Sequence, residues 1–111
     1  MKIVDRKTFL TMPPGTVYGV TAEMVGCLPD KFEVKGKTWT NDWLYYSLDI
    51  PSHDSGEFMD NIHLMQTTGA EFPLEISLSR DGCFSETDHY FILDADDIKV
   101  LKDYYDRKYV E

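Results

Sequence analysis

The stretch Glu71-Phe72-Pro73-Leu74-Glu75-Ile76-Ser77-Leu78-Ser79 decides the fold. Phe72, Leu74, Ile76 and Leu78 alternate with Glu71, Pro73, Glu75, Ser77 and Ser79, and a period of two puts one set on each side of an extended chain. The pattern predicts a half-buried strand, and Pro73, which has no N–H to donate, assigns its beginning to a sheet edge. The same reading applies from Trp43 to Ile50, where Leu44, Tyr46, Leu48 and Ile50 share one face and Trp43, Tyr45, Ser47 and Asp49 the other.

Further strands follow from this centre. Tyr18, Val20, Ala22 and Met24 alternate from Thr16 to Met24, and Phe32 and Val34 lead to a tight turn expected at Lys35-Gly36 that returns through Thr38 and Trp39. Asn41-Asp42 and Arg80-Asp81-Gly82 read as turns, and His89 to Leu93 as the last strand. Helices are punctuated by acids. Asp5 caps a short one, with Val4 and Phe9 as a staple and Pro13-Pro14 as its stop. Ser55 or Asp54 caps a second, with Phe58, Ile62 and Met65 on one side and Gly69 at its end. Asp94, with Asp97 three positions on, caps a third whose stripe is Ile98, Leu101, Tyr105 and Tyr109. The expected order is α-β-β-β-β-α-β-β-α. It predicts an α+β domain over 1–111, a mainly antiparallel sheet of five to six strands with two or three helices on one face.

With 111 residues and 42% apolar composition the chain suits one core. Twenty acids against eleven Lys and Arg give a net charge of −9, which repels nucleic acid and anionic membranes and attracts basic protein surfaces. No run reaches the roughly 18 apolar residues of a spanning helix, and nothing resembles a secretory leader, so Cys27 and Cys83 are expected as reduced thiols in a cytoplasmic protein.

Motifs for chemistry are sparse. His53 with Asp54 and Glu57 offers nitrogen and oxygen ligands, but the spacing fits no standard metal loop, and neither metal nor cofactor is expected. His63 and His89 read as surface and strand residues. The sequence holds no Gly-x-Ser-x-Gly and no phosphate-cradling glycine loop. Asp54, Glu57 and Asp60, like Glu86, Asp88, Asp94, Asp96 and Asp97, fall where helix starts attract carboxylates through the dipole. The aromatics Trp39, Trp43, Tyr45 and Tyr46 either form a platform for a partner or cover the sheet from within. Tyr18 and Arg80 join them as candidates, Arg80 with Asp81 or Asp88 as its expected ion-pair partner.

The segments Val4-Asp5-Arg6-Lys7-Thr8-Phe9-Leu10 with Pro14-Gly15-Thr16, Ser55-Gly56-Glu57-Phe58-Met59-Asp60, and Arg80-Asp81-Gly82-Cys83-Phe84 resemble small uncharacterised proteins of bacteriophages and prophages. The resemblance implies a host-cell setting and an anti-defence role, and no residue role comes with it. The leading expectation is a non-enzymatic inhibitor that docks on a basic host protein through Tyr18, Trp39, Trp43, Tyr45, Arg80, Asp81, Glu86 and Asp88. Two alternatives are a binder of small nucleotide signals, with Tyr18, Trp43, Tyr45 and Arg80 as its pocket in a monomer or at a homodimer seam, and a small enzyme using His53, His89, Asp88 and Glu57.

Overall fold

The fold is described from a computed structural model, which covers residues 1–21, 26–82 and 85–110. In chain order the elements are β1 (Lys2–Asp5), α1 (Arg6–Leu10), β2 (Val17–Thr21), β3 (Glu33–Trp39), β4 (Asp42–Asp49), α2 (Ser55–Thr68), β5 (Glu75–Arg80), β6 (His89–Leu93) and α3 (Ala95–Tyr105). The six strands form one sheet in the order β1-β6-β2-β3-β4-β5, antiparallel throughout. The α+β class and its antiparallel sheet are those the alternating runs require.

Each helix starts where an acid can accept from its first turn. Asp5 accepts from Thr8 N at 2.8 Å, Asp54 from Glu57 N at 2.7 Å, and Asp94 forms a reciprocal box with Asp97. Gly69 ends α2 with φ of 73°, a left-handed conformation that costs glycine nothing.

Three expectations are corrected. Lys2–Asp5, read only as the lead-in to α1, is a strand because β6 offers it a partner from Lys2↔Ile92 to Asp5↔His89. The turn at Lys35-Gly36 does not exist. Instead β3 runs on to Trp39, and the register slips between Lys35↔Tyr45 and Thr38↔Trp43, so that Gly36 and Lys37 face Leu44 alone. This is a β-bulge, and it leaves Lys35 and Thr38 on the same side of the sheet. The strand expected from Thr16 to Met24 is observed as Val17–Thr21, and Ala22 and Met24 lie outside the described residues.

Pairing defines two faces. On the first, Tyr18, Trp43, Tyr90 and Ile92 meet Phe9 from α1, and these five make the buried core. Phe9 stacks on Tyr90 with centroids 4.4 Å apart and meets Trp43 edge-on at 4.8 Å. Such pairs contribute about 0.5–1.5 kcal/mol each beyond the area they bury. The second face carries Val34, Tyr46, Leu48, Ile76 and Leu78 across β3, β4 and β5, and all five are exposed. The alternation in β4 and β5 is observed, but the strand expected over residues 71–79 begins only at Glu75 and runs through Arg80, and its apolar side is exposed and not half-buried. The side of β4 that enters the core is that of Trp43, because α1 roofs that side.

The helices cover less of the sheet than expected. α1 packs on β1 and β6 and α3 touches β6. In α2 Asn61 is buried, its Nδ2 donating to Pro51 O at 2.9 Å, while Phe58 and Ile62 are half-buried and Met65 is exposed. Of the stripe expected in α3, Ile98 and Leu101 are half-buried and Tyr105 is exposed, while the helix ends at Tyr105 and leaves Tyr109, also exposed, beyond it.

Candidate functional site

The candidate residues fall into three places. Tyr18 and Trp43 are core residues, essentially without exposure, and Trp43 Nε1 donates to the Tyr18 hydroxyl at 3.0 Å. Their polar tips satisfy each other, so neither forms a partner platform or the wall of a nucleotide pocket. Tyr45, half-buried on the same face, borders the core. Burial, with the nearby charges of Glu33 and Asp81, raises its phenol above the ordinary value.

Trp39, Arg80 and Asp42 gather at the β3–β4 hairpin. The Arg80 guanidinium lies 4.9 Å over the Trp39 ring and donates through Nε to Asp42 Oδ2. Asp42, buried, also accepts from Trp43 N at 2.9 Å and Gly82 N at 3.1 Å. Burial opposes its charge, but Arg80 and the two amides outweigh that and hold the carboxyl below its ordinary range. The sequence suggests Asp81 or Asp88 as the partner of Arg80. Instead it takes Asp42, its neighbour across the hairpin end, and Asp81 lies 3.7 Å from Arg6 Nη1.

Arg6 and Lys35 bracket the aromatic core. Arg6 sits 4.7 Å over Trp43, donates to Tyr90 Oη at 3.4 Å and to Asn41 O, and is nearly buried. Lys35, fully buried, donates from Nζ to Met12 O at 2.9 Å, to Gly36 O at 3.4 Å and to Thr38 Oγ1. The last bond exists because of the bulge. Burial lowers the Lys35 amine below its ordinary value. Glu33, on the same face, is raised by burial, which Lys31 at 3.7 Å partly offsets, and its Oε2 has no hydrogen bond among the described residues. Glu86 lines a cavity of about 380 Å³ with Asp5, Arg6, Lys7, Leu10 and Asn41. Asp88 is half-buried in the loop before β6, and Cys83 lies outside the described residues while Cys27 is exposed.

A second concavity, of about 430 Å³, lies where β4 and β5 meet the start of α2. Asp49, Asp54, His53, Glu75, Ser77 and Ser79 line it among others. Asp49 and Glu75 are direct cross-strand partners, an arrangement of like charges that weakens a sheet. Neither has an ion pair among the described residues, whereas His53 Nδ1 is 3.2 Å from Glu57 Oε2. The sequence shows both carboxylates, but their juxtaposition depends on the β4–β5 register, which alternation alone does not fix. The described residues contain no group of three or more His, Cys, Asp or Glu placed to hold a metal, and no helix long and apolar enough to cross a membrane.

No family model, curated protein or solved structure matches the chain.

Proposed function

We propose that the chain is a binding protein that captures a basic protein surface, and that in the phage setting implied by its resemblance this neutralises a host defence protein. The reading rests on the opposed pair Asp49 and Glu75. Two carboxylates held face to face across a ladder, without an ion-pair partner among the described residues, lower the stability of the strand pair by a few tenths of a kcal/mol. A Lys or Arg side chain inserted between them relieves that repulsion and gains charge-assisted hydrogen bonds. The rim supplies Asp54 and the hydroxyls of Ser77 and Ser79, and the net charge of −9 steers a cationic partner to it.

The test is capture from host lysate at 50 and 500 mM salt with the wild type and the Asp49→Asn, Glu75→Gln double variant. A basic partner is expected with the wild type, released by salt and lost in the double variant, whose melting temperature stays equal or rises. Capture that survives both substitutions, or no partner at low salt, rejects the reading.

A further inference from the structure

Two apolar rows on the second face of β3, β4 and β5, bordered by Arg80 in the Leu44 row, lead to a different surface and a different partner. Val34, Tyr46 and Leu78 form one cross-strand row and Leu48 and Ile76 the next. Their exposures are 36%, 43% and 53% in the first row and 67% and 74% in the second. In a chain with twenty acids, these two rows contain none. Phe32 joins Val34, Tyr46, Leu48 and Ile76 around a mostly apolar groove of about 410 Å³ that Glu33 and Ser47 also line.

The whole molecule shows the same deficit. Its accessible surface is 8206 Å², against about 6,300 Å² for a folded monomer of this mass. Its radius of gyration is 16.1 Å, against about 13 Å for a compact chain of this length. The excess of about 1,900 Å² per chain is spread over the whole molecule; a dimer that buries roughly 2,000 Å² in all takes about half of it from each chain.

We infer that a second copy of this chain covers this face, the two sheets packing face to face about a two-fold axis with Leu48 and Ile76 at the centre. A two-fold contact sets the same patch against itself, so the patch must be self-compatible. An uncharged apolar patch meets that condition, whereas a basic partner would leave cations facing aliphatic side chains. Two inner faces packed in this way interdigitate at a spacing of about 10 Å, with the Phe32–Ile76 groove receiving side chains from the other copy. The pairing does not involve the Asp49–Glu75 concavity, which lies on the opposite side of the β4–β5 ladder, so each inference stands or fails alone.

Sedimentation velocity on the full chain tests this. The wild type is expected at twice its 12.9 kDa mass, with the dimer tightening between 50 and 500 mM salt as the repulsion between two −9 chains is screened. Ile76→Asp, at a side chain that is 74% exposed in the single chain, is expected to weaken the dimer by on the order of a hundredfold or more. Hydroxyl-radical footprinting of the wild type does not depend on that variant folding: Leu48, Ile76 and Leu78 are expected to be protected at high concentration and labelled on dilution. A wild type that stays monomeric to about 100 μM overturns the inference, well above the dissociation constants of stable dimers. So does a dimer in which these residues remain labelled, or protection that arises only when a basic protein is added.

Discussion

Replacing Asp42 by Asn isolates the contribution of the buried carboxylate that ties the β3–β4 hairpin to the end of β5. The side chain is 2% exposed; Oδ1 accepts from Trp43 N and Gly82 N, and Oδ2 receives Arg80 Nε. Asparagine keeps one acceptor and turns an N–H donor toward either the two amides or Arg80. Weakening two bonds from charged to neutral acceptors costs about 1 kcal/mol each. Arg80, whose side chain is 54% exposed, rehydrates when released, so its share is about 1 kcal/mol or less. The expected loss is roughly 2–3 kcal/mol, or a melting temperature lower by about 10–20 °C for a domain of this size. Urea unfolding followed by tryptophan fluorescence, at one fixed protein concentration, measures it. The pH dependence gives a second signature. Because the folded carboxyl titrates below its unfolded value of about 3.9, its stabilisation is complete above that pH and is lost as pH falls through the folded value. The gap between wild type and variant should therefore close below about pH 4. A gap under about 0.5 kcal/mol at pH 7, or one unchanged down to pH 2, refutes the assignment.

Two further outcomes are expected. A Cβ on Gly19 would lie 2.6 Å from Pro29 Cγ and 2.7 Å from Pro29 Cβ, so Gly19→Ala should cost about 1–3 kcal/mol by overpacking; an unchanged thermal melt would show that the Pro29 loop yields freely. Burial raises the phenols of Tyr18, Tyr45 and Tyr90, so the unfolded chain sheds those protons first, and stability present below about pH 10 is lost above it. Lys35, lowered by burial, acts in the opposite sense, but one amine opposes three phenols. Melting temperature should fall between about pH 10 and 11.5, and less steeply in Tyr18→Phe; a flat profile would contradict the burial of these rings.

The alternation of Trp43 to Ile50 and of Phe72 to Ser79 makes two strands legible, the second of which forms only from Glu75, and the acid caps at Asp5, Asp54 and Asp94 mark the helix starts. Such signals are local, and the structure keeps them. Which side of β4 turns inward was not legible, because that depends on where α1 carries Phe9, a contact across 34 positions of sequence between Phe9 and Trp43. Lys35-Gly36 reads as a turn, where the structure has a bulge, for the same reason: glycine marks an irregular backbone, and only the partner strand decides between reversal and slip. Among the candidate site residues, Trp39 and Arg80 are adjacent at the surface, Tyr18 and Trp43 are interior, and Asp42, Asp49 and Glu75 emerge only once the register is known. Isolated carboxylates look alike in a sequence. Their environments separate the one held by Arg80 from the two left facing each other.

The strand order carries a consequence for how the chain is made. β6 lies between β1 and β2, so a segment near residue 90 must slot between two that leave the ribosome near residues 2 and 17. β3, β4 and β5 are successive neighbours and can zip together during synthesis, but β1 has no neighbour until β6 arrives, and Phe9 lacks the Tyr90 ring on which it stacks. Until then the nascent chain shows its aromatic interior to solvent, and completion waits on a long-range insertion of the kind that makes folding slow.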